Sequence, residues 1–380
     1  MRRLFIHERK DWPKFHCNAK TIAAPLASVR HRQSRLIRQM TNLGFDLQRE
    51  AVLQTLTSDV LKTTEIEGEK LIAEQVRSSL ARRLGMDIGA LKPADRNVEG
   101  SVELMLDATR RYSEPLTRER LFAWHAALFP TGYSGMRKIT TGAWRDDREG
   151  PMKVVSGPIG KERIHYQAPS ATLLDAEMTT FLHWFEGENS TDLDSTDVDS
   201  TDAVLRAAIA HLWFVTIHPF DDGNGRIARA IADMALARSE HSPQRFYSMS
   251  AQIKHEHQSY YDILESTQKG PLDITPWMEW FLACLGRSID GAHELLDVVI
   301  EKARFWDRLQ GLALSERQRR VINRLLDGFT GKLTSSKYAA IAKCSQDTAH
   351  RDIRALVDQG VLRQNPEGGR STSYSLTKEP

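Results

Sequence analysis

Cysteine is scarce in this chain: Cys17, Cys284 and Cys344 stand far apart in 380 residues. An odd count with no paired spacing gives neither a zinc ligand set nor a disulfide framework, and it suits a reducing cytoplasm. Charge of one sign is lacking too. The 52 Lys and Arg against 50 Asp and Glu leave a formal +2, so no global field marks a nucleic-acid binder and any such role needs a local patch. Long apolar runs are missing: nowhere do the roughly 18 consecutive apolar residues of a membrane span occur, and no membrane partner is expected. The N-terminal MRRLFIHERKDW breaks its short apolar cluster at His7, Glu8, Arg9 and Lys10, which is no secretory core.

What remains is the balance of a soluble globular protein, 41% hydrophobic and 27% charged. At roughly 150 residues per domain the length predicts two or three folded units. The pattern is mainly α. Apolar residues recur at helical spacing from Ala24 to Arg83 (Leu36, Ile37, Met40, then Leu53, Leu56, Val60), which predicts two or three helices. Gly85 to Pro93 interrupts them, a further helix is expected over Arg96–Tyr112, and Ser113 and Thr117 are candidate N-caps beyond it. Short β-prone pieces at Lys153–Val155 and Arg163–Tyr166 around a Gly/Pro turn predict a hairpin inserted in a helical protein. Helical spacing returns at Ala171–Phe185. The acidic, low-complexity stretch Asn189–Asp202 is expected to be a flexible surface loop.

Ala203–Ile217, the most apolar segment, predicts a buried helix ending at His218, and helix resumes after Gly225. Between them lies HPFDDGNGRIAR, His218 to Arg229. Gly223, Asn224 and Gly225 open a helix whose N-terminal amides would favour phosphate. Arg226 and Arg229 share a helix face and can clamp phosphate oxygens. Asp222 is positioned for Mg²⁺, which takes few protein ligands and prefers oxygen. His218 is the natural general base for a hydroxyl attacking phosphorus.

These residues match the signature HxFx(D/E)GNGRxxR at His218, Phe220, Asp222, Gly223, Asn224, Gly225, Arg226 and Arg229, and the chain therefore resembles the Fic family. The likeness runs roughly from Arg96 to Leu285, with Gly142 and Arg145 similar to the family's GxxR. It implies a helical Fic core and transfer of AMP from ATP and Mg²⁺ to a Ser, Thr or Tyr hydroxyl of a protein, which can be the enzyme itself. It implies that His218 is the base, that Asp222 holds the metal, that the Gly-Asn-Gly loop and both arginines hold the triphosphate, and that the hairpin is a flap that aligns the target by main-chain pairing. Tyr260, or Tyr261, resembles the adenine-pocket residue; two aromatics packing on a core helix are the alternative. Transfer of another phosphate-linked group remains an option within this fold.

TTEIEGE at 63–69 fits (S/T)xxxE(G/N) through Thr63, Glu67 and Gly68, and resembles the family's inhibitory helix in its N-terminal position. The resemblance implies that Glu67 pairs with Arg229 and competes with the γ-phosphate for one guanidinium. Glu65, Glu67 and Glu69 on a solvated helix face are the plainer alternative. The segment before Thr63 resembles a helical domain that often precedes Fic cores.

Residues 315–376 read as helix, helix, tight turn, helix and hairpin, the order of a winged helix-turn-helix. Ser315 and Ser336 are candidate caps, Ser345–Leu356 is the expected recognition helix, and Asn365–Tyr374 the wing. Arg351, Arg354 and Arg370 are candidate DNA contacts, with Arg363 in support and Asp347, Asp352 and Glu367 against. The expected organisation is an N-terminal helical domain (1–95) with the inhibitory motif (63–68), a Fic domain (96–310) and a winged helix (311–380). The expected function is an autoinhibited protein adenylyltransferase. Its alternatives are a DNA-binding transcriptional regulator with a sensing Fic core, and removal of AMP by water activated through Glu67. A homodimer is compatible with this reading.

Overall fold

The structure is a computed structural model describing residues 4–41, 45–86, 92–148, 150–158, 161–187, 202–326, 329, 331–366 and 372–377. The chain divides into two compact units, Met1–Leu296 and Asp297–Pro380. In the first, a short 3-10 turn (Ile6–Glu8) precedes α1 (Ala19–Thr41), α2 (Phe45–Ile66) and α3 (Ala73–Arg83). Asn18 opens α1 by accepting the N–H groups of Lys20 and Thr21 at 3.1 and 3.3 Å. Ile22, Val29, Leu36 and Met40 then form its buried stripe, at the three-and-four spacing of one helix face. On α2, Leu53, Leu56 and Val60 do the same.

Next come α4 (Arg96–Arg110) and α5 (Arg118–Leu128). Thr117 caps α5 by accepting the Arg120 N–H at 3.2 Å, while Ser113 lies in the turn before it. A two-residue hairpin of β1 (Tyr133–Ser134) and β2 (Arg137–Lys138) follows, too short to leave a sequence pattern. The expected hairpin is β3 (Lys153–Ser156) against β4 (Arg163–Gln167). Its register pairs Val154 with Tyr166 and Val155 with Ile164, so His165 is the extra residue of a bulge.

The acidic stretch read as a flexible loop lies outside the described residues except for Asp202, which follows α6 (Leu174–Glu186) and caps α7 (Ala203–Ile217). The Asp202 carboxylate accepts the Val204 and Leu205 N–H groups at 2.8 and 3.4 Å. Every residue from Ala207 to Ile217 is buried, as expected of a helix apolar on all sides. Its partner α8 (Asn224–Glu240) packs along it, and α2, α4, α5 and α9 (Met249–His255) close around α8. Then come α10 (His257–Gln268) and the long α11 (Thr275–Arg308).

The second unit holds α12 (Glu316–Leu326), α13 (Ser335–Ala342) and α14 (Gln346–Asp358), then β5 (Leu362–Gln364) antiparallel to β6 (Tyr374–Leu376). Val321, Ile322, Tyr338, Ile353, Leu356 and Leu362 form its core. Ser345 caps α14 through the Thr348 N–H at 3.3 Å. Ser336 is not a cap: it lies inside α13, and Thr334, whose backbone is extended, caps that helix through the Lys337 N–H at 3.4 Å. Glu367, Gly368, Gly369 and Arg370 lie outside the described residues. No described helix is long and apolar enough to cross a membrane.

Candidate active site

The loop from α7 to α8 is built from hydrogen bonds that leave few choices to its side chains. His218 ends α7 in the left-handed region (φ 53°, ψ 57°), its N–H bonded to Phe214 O at 3.0 Å. For a residue with a Cβ this costs on the order of 1–3 kcal/mol and needs support from its surroundings. Buried Arg145 supplies it: Nε donates to His218 O at 2.8 Å, the backbone N–H to Pro219 O at 2.9 Å, and Nη2 to Pro169 O at 2.6 Å. The His218 Nδ1–H donates to Val215 O at 3.2 Å, which fixes the tautomer and leaves Nε2 as the lone-pair nitrogen. Burial pushes the imidazole down to about 4, with Arg145 acting in the same direction, against the Val215 bond and the Glu67 and Asp222 charges. The ring is therefore neutral at physiological pH.

Asn224 closes the loop on itself. Its Oδ1 accepts the Phe220 N–H at 3.0 Å and its Nδ2 donates to Phe220 O at 2.8 Å, so the side chain shapes the turn. Gly223 has φ +81°, and a Cβ there would stand 2.9 Å from the Phe129 ring. His125 braces the same turn from α5. The Gly142 N–H donates to its Nδ1 at 3.1 Å, so Nε2 carries the proton and donates to Asp222 O at 3.2 Å. Its ring stacks on Phe220 at 4.2 Å.

Arg226 and Arg229, 3% and 2% exposed, project from the first turns of α8. Arg229 Nε donates to Thr63 Oγ1 at 2.7 Å, and Nη2 to Thr63 O at 3.0 Å and Glu67 Oε1 at 2.6 Å. The expected inhibitory residues thus meet the second motif arginine across 162 residues of sequence. Gly68, at φ +82°, turns the chain beyond them. The Glu67 carboxylate lies directly over the start of α8: a Cβ on Gly225 would stand 2.3 Å from its Oε1. A helix N-terminus with a guanidinium beside it is where an anion belongs, and here a carboxylate occupies it. Glu69 reaches the other arginine, Oε2 to Arg226 Nη1 at 3.3 Å. Arg226 also lies over the Phe129 ring, 4.9 Å from its centre. Among the described residues Arg226 Nε and Nη2 and Arg229 Nη1 are buried without a hydrogen-bonded acceptor.

Asp222 takes the Gly223 N–H on Oδ1 at 2.6 Å and the Ser134 hydroxyl on Oδ2. Among the described residues no three His, Cys, Asp or Glu side chains are grouped to hold a metal. A single hard carboxylate, oriented by two donors and next to an anion cradle, suits Mg²⁺, which keeps water and phosphate as its other ligands. Tyr260 is 2% exposed and its hydroxyl meets His211 Nε2 at 2.8 Å, while Tyr261, 37% exposed, stands edge-on to it. The arrangement brings Tyr260 into the core and leaves Tyr261 as the accessible ring.

Three contributors went unread in the sequence. His125 and Ser134 sit in segments with no motif, and Glu69 stood only among the acids of a solvated face.

With this geometry in hand, residues 115–236 match the Fic/DOC family, and residues 5–86 match a domain of unknown function (DUF4172). The chain is 38% identical over 98 residues to the protein adenylyltransferase Fic of Aedes aegypti, covering 26% of this chain and 18% of that protein. It is 34% identical over 113 residues to the protein of the same name in Culex quinquefasciatus, covering 30% and 19%. The matches thus span about a fifth of the length of these curated relatives. A crystal structure of a Fic family protein from Desulfovibrio desulfuricans G20 superposes with a TM-score of 0.52 at 20% identity, covering 97% of this chain and 99% of that one. This likeness is one of fold.

Proposed function

We propose that this protein transfers AMP from ATP to a hydroxyl of a protein substrate and that Glu67 restrains the reaction. The observation that carries the reading is the set of buried guanidinium N–H groups on Arg226 and Arg229 without acceptors, beside a neutral histidine whose bare nitrogen is Nε2. An unsatisfied buried donor is costly, and phosphate oxygens satisfy it. In this scheme the hydroxyl oxygen attacks the α-phosphorus, its proton passes to His218 Nε2, and pyrophosphate leaves. Asp222 would hold Mg²⁺, which would supply neutralisation of the phosphate charge. Gly223 and Gly225 keep side chains away from the nucleotide, Arg226 and Arg229 bind its phosphates, and Tyr261, with Tyr260 behind it, borders the base. Glu67 and Thr63 keep Arg229 from the γ-phosphate.

The test is label transfer from ATP labelled at the α- or the γ-phosphate. Label on protein from the α-position alone supports AMP transfer, and His218→Ala should lower it by about 10² to 10⁴. An undiminished rate in that variant excludes His218 as base. Release of AMP from modified protein that depends on Glu67 would instead favour removal as the main activity.

For the second unit we propose a winged helix-turn-helix that binds DNA. The observation in favour is that Arg351 and Arg354 are both exposed on capped α14. DNA retention that falls with salt, and falls further in an Arg351→Ala/Arg354→Ala variant, is the expected outcome. No retention at low salt would mean a protein-docking role.

A further inference from the structure

The contacts of the segment before α1 converge on the expected flap and on the end of the helix that carries His218. The last turn of any helix leaves carbonyls without intrahelical partners. At the end of α7 Phe214 O takes the His218 N–H, Val215 O takes His218 Nδ1–H, and His218 O, just beyond the helix, takes Arg145 Nε. Thr216 O takes the hydroxyl of Tyr166, at 2.8 Å. Tyr166 belongs to β4 of the hairpin and is 1% exposed. Its oxygen, having donated to Thr216, accepts from His7 Nδ1 at 2.8 Å. Burial raises the Tyr166 hydroxyl well above its ordinary pKa, so it remains a donor.

The other contacts of this segment lead to the same place. Phe5 and His7 meet the Tyr166 ring edge-on at 5.2 and 5.7 Å. Arg9 donates through Nε and Nη2 to Gly270 O, at 3.2 and 3.0 Å, just beyond α10. From α10, Glu265 holds the hairpin by His165 Nδ1 at 2.6 Å and Arg163 Nη2 at 2.9 Å. Trp12 Nε1 donates to Glu177 of α6 at 2.9 Å and its ring meets Trp213 of α7. His16 pairs by backbone with Leu272 and Ile274, at 3.1 and 2.9 Å.

We infer that residues 5–16 form a strap that positions the β3–β4 hairpin and the last turn of α7, and through them the His218 imidazole, with His7 and Tyr166 as the positioning residues. This gives the matched domain of unknown function a task at each end: the strap sets the target side of the site, and Thr63 and Glu67 cover the phosphate side. The consequence for activity rests on the AMP-transfer reading.

The test uses the 380-residue chain carrying Glu67→Gly, alone and with Tyr166→Phe, His7→Ala or His7→Asn, whose side-chain N–H can replace Nδ1–H. Hydrogen exchange is read at residues 152–168 and 216–218 against residues 226–238, together with ATP affinity and α-label transfer. Tyr166→Phe and His7→Ala should speed exchange about tenfold in the first two segments only. They should lower transfer about tenfold at saturating ATP, with ATP affinity within about twofold, because misplacement of the reacting groups leaves the nucleotide site intact. His7→Asn should restore both. Unchanged exchange in the hairpin and α7 end overturns the strap, as does equal loss across all segments with no rescue, which is plain destabilisation. A parent that transfers no label defeats the AMP-transfer reading alone, and the exchange arm still decides on the strap.

Discussion

Two buried arginines, Arg229 on α8 and Arg245 just beyond it, meet α2 and α8 at positions about one helical turn apart, and their surroundings differ. Arg229 meets one carboxylate, Glu67, whose side chain is 25% exposed, plus the hydroxyl and carbonyl of Thr63. Arg245, 0% exposed, is held by Asp233 at 2.9 Å and Glu240 at 3.2 Å, themselves 1% and 4% exposed, with Asp59 of α2 nearby. Tyr247 covers it, ring centre at 4.5 Å, and its hydroxyl bonds Glu240. Asp59 takes Ser248 Oγ at 2.5 Å, which ties α2 to α9. Both sites use the same guanidinium chemistry. At Arg229 the carboxylate partner reaches solvent and, on the proposed reading, can cede the guanidinium to a phosphate; at Arg245 every partner is sealed in. Exchangeability resides in the exposure of the acid and not in the strength of the pair.

The largest effect should come from breaking the sealed site. Arg245→Ala leaves buried acids without their counter-charge and should destabilise the protein by roughly 3–5 kcal/mol, read by denaturant unfolding. A loss below that of Glu67→Gly would erase the distinction drawn here. Glu67→Gly opens Arg229 to water and nucleotide, so its unfolding midpoint should move little while auto-modification rises, by about 5- to 150-fold on the usual scale of intramolecular coupling. Combined with Arg229→Ala the gain should vanish, since both changes act on one contact.

The pH response sharpens the contrast. Burial and then the Asp59 charge raise the Asp233 carboxyl to about 7, and burial raises Asp59 as well. Because the folded state holds the Asp233 proton above the unfolded value near 4, its contribution is fully present below pH 4 and lost as pH rises through 7. The stability difference between Asp233→Asn and wild type should therefore grow in favour of the variant across that window. His218 behaves oppositely. Its folded pKa near 4 lies below the ordinary 6.5, so the folded state binds fewer protons and the stability held above pH 6.5 is lost as pH falls through 4. The acid limb of the transfer profile should accordingly lie well below 6.5. The smallest effect belongs to Thr63→Val, which removes the Arg229 Nε acceptor and should raise transfer only a few-fold, by about 1 kcal/mol or less.

The sequence was informative where chemistry is local. HPFDDGNGRIAR carries its turn, helix start and arginine spacing within twelve adjacent positions, and the β3–β4 hairpin and most helices follow from periodicity. Thr63 and Glu67 could be singled out because a short pattern holds them, though nothing in the pattern states the 2.6 Å contact. Pairings set only by tertiary packing left no trace. Tyr166 with His7, Arg226 with Glu69 and Asp222 with His125 join residues 159, 157 and 97 positions apart. The side chain of Asn224, read with its neighbours as part of the nucleotide loop, closes its own turn, because both of its polar atoms meet the Phe220 backbone at bonding distance, and no sequence pattern states that closure.

That closure bears on the chemical ageing of the protein. Asn224 precedes Gly225, and an asparagine before glycine is the dipeptide most prone to cyclise, its amide carbon attacked by the next backbone nitrogen, with loss of ammonia and later opening to aspartate or its isomer. Attack requires the side chain to swing onto that nitrogen. The two bonds to Phe220 and the helical backbone hold it elsewhere, so conversion proceeds only through states in which the loop has opened. Deamidation at Asn224 then serves as a slow clock of loop opening: faster in variants that loosen the α7–α8 turn, slower with nucleotide bound, and readable in a stored sample by peptide mass.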